Sequence, residues 1–286
     1  MIEEKRYTLV TGASAGIGRA IAEECAQRNQ NLILVSLPAT GLQEVGKNLQ
    51  RRYGIDVKTV ELNLVQPHAV QELYEWCCSQ NLKINVLINN AGIGNYSPFA
   101  STDASVYLNI IRLNSEVVVL LTSTFLPKLR EHAESYIMNV GSFVSFLPIP
   151  YKSVYSASKS FVLTFSKALH SELDQYGVHV SCLCPGPTTT EAVKKRNKEL
   201  LRQNSNMLTL SPEVVAKKAI DGLFRKKRVI IPGWGNKFIL SLIPLIPYRL
   251  KMYILKAIFK NGFEKEEQVK MDTVSVVDEE KTIAHQ

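Results

Sequence analysis

Residues 7–35 read YTLVTGASAGIGRAIAEECAQRNQNLILV, and this stretch decides the fold. Tyr7–Val10 is a short apolar strand. Gly12, Gly16 and Gly18 crowd the turn that follows it. From about Ile17 to Arg28 the residues Ile17, Ala20, Ile21 and Cys25 return on one helical face, and Asn31–Val35 is a second strand. A strand, a glycine turn, a helix and another strand make a crossover unit with parallel strands. The turn itself has a physical logic. Gly12 permits a sharp turn, Gly16 lets the backbone approach a ligand closely, and Gly18 lets the helix pack tightly on the sheet. The helix N-terminus adds unpaired N–H groups and the positive end of its dipole, so the turn suits a phosphate group.

The same rhythm continues outward. Leu42–Tyr53 is helical and ends at Gly54, Val57–Leu62 is a strand, and Val70–Cys78 is a helix entered through Pro67. Val86–Ile88 is a fourth strand, Tyr107–Leu126 a long helix and Tyr136–Val140 a fifth strand. Val154–Tyr176 is a helix stopped by Gly177, Val178–Cys184 a sixth strand, Val214–Phe224 a helix and Val229–Ile231 a last short strand. The strands are continuous and apolar, as in a sheet covered on both faces. The expectation is one doubly wound α/β (Rossmann) domain with a parallel sheet of about seven strands, over residues 1–235. It includes a polar, basic substrate loop at 185–211. An apolar and basic carboxyl-terminal extension follows at 236–263, and 264–286 reads as an acidic, disordered tail.

Composition supports a globular chain: 286 residues, 45% apolar and 21% charged, which excludes a disordered, fibrous or disulfide-stapled class. The net charge of +8 is segregated. Residues 1–190 are balanced, residues 191–261 carry +12 and residues 262–286 carry −4. The start, MIEEKRYTLV, shows no secretory pattern. Five cysteines without zinc spacing read as small buried side chains in a reduced, cytoplasmic setting, and no metal site is expected.

Further along, six short motifs follow the strands in order: the glycine turn Gly12–Gly18, Asn89-Asn90-Ala91-Gly92, Asn114 in the long helix, Gly141-Ser142, Tyr155-Ser156-Ala157-Ser158-Lys159 and Pro185-Gly186-Pro187-Thr188. Together they resemble the short-chain dehydrogenase/reductase family over roughly residues 5–232, in particular its ketoreductase-like members with a carboxyl-terminal extension. Tyr155 and Lys159 lie one helical turn apart. A phenol titrates near pH 10, and a neighbouring ammonium lowers that value. Tyr155 is thus the candidate general acid–base, Lys159 the group that lowers its pKa, Ser142 the group that orients the reacting oxygen, and Asn114 the holder of a proton-relay water. The resemblance implies the same roles. It also implies a nicotinamide dinucleotide held by Gly12, Ser14, Ala15, Gly16, Ile17 and Gly18, by Ser36 and Asn63 at the ends of the second and third strands, by Asn90, Ala91 and Gly92, by Tyr155 and Lys159, and by Pro185, Gly186 and Thr188.

Two positions depart from the family. Ser36-Leu37-Pro38-Ala39-Thr40 offers neither the acidic residue of NAD users nor the basic residue of NADP users. The absence of a repelling carboxylate and the presence of two hydroxyls favour NADP, with NAD possible. Asn63 stands where the family usually has Asp against the adenine.

The implied substrate is a ketone or secondary alcohol, either a 3-oxoacyl chain on CoA or an acidic carrier, or a steroid-like lipid. Residues 191–261 are a candidate for peripheral contact with a membrane or an acyl carrier. The family tends to form homodimers or homotetramers through the helices carrying Asn114 and Tyr155. A non-catalytic dinucleotide-binding sensor or interaction protein is the alternative. Nucleic-acid binding is not expected, since no aromatic-interleaved basic motif or helix-turn-helix accompanies the charge.

Overall fold

The computed structural model describes residues 5–189, 208–260 and 263. Seven strands form one sheet in the order β3-β2-β1-β4-β5-β6-β7, every pairing parallel. They are β1 Arg6–Thr11, β2 Asn31–Ser36, β3 Val57–Glu61, β4 Lys83–Asn89, β5 Ser135–Val140, β6 Val178–Leu183 and β7 Val229–Ile230. The order reverses between β1 and β4, so their carboxyl ends open a crevice, which is where open α/β sheets bind ligands.

Successive strand residues divide between two cores, as a period of two requires. Val10, Leu34, Ile88 and Met138 meet α1 (Gly16–Gln27), α2 (Leu42–Tyr53) and a later helix, Pro212–Phe224. Leu9, Ile33, Leu87 and Ile137 meet the other layer, formed by α3 (Ala69–Ser79), α4 (Ala104–Leu129) and α5 (Ser153–Leu173). Pro212–Phe224 is α6; Arg28 ties α1 to it through Asp221 at 2.6 Å. Four cysteines are buried as expected, whereas Cys78 is exposed.

The boundaries differ from expectation for local reasons. α4 starts three residues earlier than the apolar pattern, because the Asp103 side chain accepts a hydrogen bond from the Ser105 N–H and caps it. It also contains a π-turn at Arg112–Glu116. α5 ends at Leu173, and a 3₁₀ turn, Asp174–Tyr176, carries the chain to Gly177 with φ +70°. The apolar run 238–259 is not one element. Pro244 and Pro247 break it into α7 (Trp234–Leu242), a 3₁₀ turn (Ile243–Leu245) and α8 (248–260). The acidic stretch 264–286 and the middle of the expected loop, 190–207, lie outside the described residues. The described ends of that loop are joined: Thr189 N–H donates to Leu210 O at 3.1 Å, and Leu210 N–H to Pro187 O at 3.0 Å.

A buried polar thread stitches the crevice floor. Asn89 Nδ2 donates to Thr122 Oγ1 at 3.2 Å and to Asn139 Oδ1 at 2.8 Å; Asn139 Nδ2 donates to Ser166 Oγ at 3.0 Å. It links β4, β5, α4 and α5. Asn139→Ala leaves one N–H of the buried Asn89 amide without its acceptor and removes a partner of Ser166, and an unsatisfied buried group costs about 1–3 kcal/mol. Urea denaturation is expected to show a loss of that size with an unchanged slope.

Candidate active site

The site begins where β1 ends. Thr11 Oγ1 accepts hydrogen bonds from the N–H groups of Asn90 and Ala91, each at 3.0 Å, and Asn90 Nδ2 donates to Thr11 O at 2.8 Å and to Gly12 O at 3.2 Å. The loops after β1 and β4 are therefore locked together. Gly12 has φ +66°, and a Cβ on Gly18 would lie 2.2 Å from Gly12 O. Only glycine lets α1 approach the turn this closely. α1 is preceded by Ala15 at its N-cap, with no side-chain cap and no acidic residue in its first turn, so its leading N–H groups and positive dipole end are left for an anion.

A cavity of about 490 Å³ runs from Gly12, Ile17 and Gly18 past Asn90–Tyr96 to Ser142, Tyr155 and Lys159, and is closed by Pro185, Gly186 and Thr188. Most of the sequence-predicted residues thus line one cleft. Five do not. Gly16 turns toward an adjoining depression of about 370 Å³ that it shares with Ala15 and Arg19. Ser14 and Ser36 are hydrogen-bonded to each other at 2.8 Å. Thr40 Oγ1 lies 3.3 Å from Ser36 Oγ and donates to Leu37 O at 2.7 Å. Asn63 is held in a turn, its Oδ1 accepting from Val65 N–H at 3.4 Å, and is not part of the cleft wall.

Asn114 is the fifth, and it lies under the floor, fully buried. The π-turn contributes one extra residue to α4 and re-aims this side chain. Asn114 Nδ2 donates to Ile93 O at 2.8 Å and to Ser158 Oγ at 3.0 Å, while Oδ1 accepts from Ile93 N–H at 2.9 Å. Both amide protons are committed, so its first task is to hold the backbone at Ile93. A Cβ on Gly92 would lie 3.0 Å from Asn114 Oδ1 and 3.2 Å from Lys159 Nζ, which places this glycine where the two converge.

Ser142 follows β5 directly and caps the 3₁₀ turn Phe143–Phe146, in a reciprocal box with Ser145. Its hydroxyl is also hydrogen-bonded to Tyr155. Lys159 is buried and donates to Val140 O at 2.8 Å. Burial lowers its ammonium to about 8. The expected lowering of the Tyr155 phenol by Lys159 is not found here. Burial pushes the phenol above its ordinary value, against the opposing hydrogen bond from Ser142. The reason is desolvation: a phenolate in this cleft loses water, and Lys159 is directed at the Val140 carbonyl.

Several contributors were not assigned a role from the sequence. Thr11, Ile93, Gly94 against the Tyr155 ring, Tyr96 and Ser158 enter only through the fold. For Thr11 and Ser158 the signal was adjacency to a motif residue.

The model for the short chain dehydrogenase family matches residues 6–201 of the chain. The very-long-chain 3-oxoacyl-CoA reductase of Phaeosphaeria nodorum is 33% identical over 202 residues, covering 69% of this chain and 59% of the relative. The 17-beta-hydroxysteroid dehydrogenase type 3 of Mus musculus is 32% identical over 200 residues, covering 69% and 65%. The chain thus spans about three fifths of the length of the curated relatives it matches. A short-chain dehydrogenase from Sphingobium yanoikuyae, solved with NADPH, superposes with a TM-score of 0.72 at 27% identity, over 85% of this chain and 97% of that one. The bulky-bulky ketone specific alcohol dehydrogenase from Comamonas testosteroni gives 0.70 at 26%, over 85% and 95%.

Gly18→Ala is expected to force α1 off the turn. Overpacking of this kind costs about 1–3 kcal/mol, read as a lower thermal midpoint, and anion binding at the α1 N-terminus is lost with it.

Proposed function

Given that the chain belongs to the short-chain dehydrogenase family, we propose that it is an NADP-dependent oxidoreductase, with NAD as the second choice, acting on a ketone or secondary alcohol of a lipid-like or acyl substrate. One observation carries the reading: Tyr155, Ser142 and Lys159 converge at the far end of the same cleft that begins at the glycine turn.

The residues present fit a dinucleotide. The uncapped N-terminus of α1 takes the pyrophosphate, and the space kept by Gly12, Gly18 and Gly92 admits the backbone of the ligand. No carboxylate stands in residues 37–41, the turn directly after β2, and the hydroxyls of Ser14, Ser36 and Thr40 would be the donors offered to a 2′-phosphate. The bound cofactor supplies or accepts the hydride. Lys159, which lines the cleft, would hold the ribose.

In the reductive direction Ser142 holds the substrate oxygen by a hydrogen bond. Tyr155, kept protonated by burial, is the proton donor to that oxygen. The hydrogen bond from Ser142 stabilises the phenolate left behind, the ammonium of Lys159 would keep the ribose in place, and Asn114 fixes the wall at Ile93. The wall of Ile93 and Tyr96 with Lys152 at the rim, its Nζ 4.8 Å above the Tyr96 ring, suits an apolar ketone whose far end is anionic, as in a 3-oxoacyl-CoA. The names of the relatives, oxoacyl-CoA reductases and hydroxysteroid dehydrogenases, support the lipid class.

We also propose a homo-oligomer. Leu108, Ile111 and Leu120 on α4 and Phe161 on α5 are exposed apolar side chains on the two helices that carry Asn114 and Tyr155. Leu108→Asp with Phe161→Asp is expected to give a monomer by light scattering, whereas the wild type gives the dimer or tetramer.

The deciding experiment is NADPH binding followed by a screen of 3-oxoacyl thioesters and steroid ketones. Tyr155→Phe is expected to keep NADPH binding and lose about 10²–10⁴-fold in turnover. Binding without turnover of any such ketone overturns the enzymatic reading. The pH profile carries a second expectation. Lys159 is protonated below about 8 and neutral above. Reduction is therefore level on the acid side and falls as pH rises through that value. Lys159→Arg moves the fall upward.

A further inference from the structure

Residues 232–260 contain five cations, Lys237, Arg249, Lys251, Lys256 and Lys260, and no acid. Nine of the nineteen large apolar side chains left exposed among the described residues lie between 234 and 258. Scattered exposed apolar residues are ordinary, whereas this concentration is a patch.

The patch is not an unfinished edge of the core. α8 is already seated on the protein by its inner stripe, Met252, Leu255 and Phe259, at spacings of three and four. Met252 lines one cavity with Phe146 and Leu147, and the Phe259 ring meets Tyr96 edge-on at 6.2 Å. A second apolar stripe, Leu250, Ile254 and Ile258, stands on its outer side. On α7 the residues Trp234, Phe238 and Leu242 form an exposed stripe at spacings of four. Leu245, 78% exposed, stands in the turn between the helices, and Tyr253 on α8 is 75% exposed.

We propose that the α7–α8 face docks the protein peripherally on an anionic lipid bilayer. Its charge decides the occupant. A second copy of the same face would set five cations against five with no acid between them, whereas an anionic headgroup layer complements cations interleaved with apolar side chains. Trp and Tyr suit the headgroup level. Pro244 and Pro247 interrupt the run, so it lies along the surface as two short helices and does not cross it.

The docked face adjoins the mouth of the cleft. Tyr96 lines the cleft, and its hydroxyl donates to the Phe259 carbonyl. Phe263 meets the Tyr96 ring at 5.9 Å and stacks on Tyr151 at 5.4 Å. Resting on the ketoreductase reading above, this places substrate entry on the bilayer side.

The test is sedimentation of the full chain with vesicles of phosphatidylcholine, with and without phosphatidylserine. Binding is expected only with phosphatidylserine, and high salt releases it. Leu245→Ser with Tyr253→Ser, and separately Arg249→Glu with Lys256→Glu, are expected to weaken binding by about tenfold or more, with unchanged thermal midpoints. In a Trp76→Phe background Trp234 is the only tryptophan, and its emission is expected to shift to the blue on anionic vesicles. A wild type that stays in the supernatant overturns the proposal, as does binding indifferent to both variant pairs. A fall in mass of Leu245→Ser by light scattering without lipid also overturns it, because the face is then a subunit interface. These readouts need no turnover. Reduction of a water-soluble ketone, unaffected by Leu245→Ser with Tyr253→Ser, reports separately on the enzymatic reading.

Discussion

The contact on which the structure depends is the clasp between the loops that follow β1 and β4. The Asn90 amide reaches the carbonyls of Thr11 and Gly12, and the Thr11 hydroxyl accepts from Asn90 and Ala91 in return. These are the two adjacent strands at which the sheet order reverses. Without the clasp the crevice between them would have no fixed width. With it, α1 must start within touching distance of the turn, and glycine at 12 and 18 is the steric condition for that approach. The open N–H groups of α1, the line of the cleft and the position of Gly92 opposite Lys159 all follow from this geometry.

At the far end of the cleft burial is the dominant influence. It raises the phenol of Tyr155 and lowers the ammonium of Lys159, favouring the neutral form of each. A buried phenol keeps its proton at neutral pH, as a weaker acid than a phenol in water. A lysine at about 8 still carries most of its charge at neutral pH, and it donates to the Val140 carbonyl. The pair is prepared by removal of water rather than by attraction between its members. The hydrogen-bonded wall of Asn114, Ile93 and Ser158 holds the lysine side of the cleft in place, and the Asn89–Asn139–Ser166 thread supports it from below.

The carboxyl-terminal helices use a different balance of forces. The same short segment has enough apolar surface to seat α8 beside Tyr96 and still leaves apolar and basic side chains outside. The rim of the cleft and the outer face are thus two sides of one element. This links the segregated charge of the sequence to the entrance of the site.

The sequence by itself determined the layers, the parallel sheet and the cleft residues Gly12, Ser142, Tyr155 and Lys159, because each of these is local. A period of two or of 3.6 residues reports which side chains face a core, and a glycine turn between a strand and a helix reports its own geometry. It also placed Asn114 in the long helix, yet it did not reveal the π-turn that buries this residue under the floor. A one-residue shift in hydrogen bonding leaves no compositional trace. Thr11 and Ser158 stood next to motif residues and Ile93 carried no signal at all; the roles of all three exist only once segments distant in sequence meet. The break of 238–259 at its prolines was legible, but not which stripe faces inward; that depended on Tyr96 and Phe146, far away in the chain. The direction of the Tyr155 shift was likewise decided by tertiary structure alone. Spacing on a helix specifies a neighbour, whereas the cost of charging a phenol depends on how much water the assembled cleft removes.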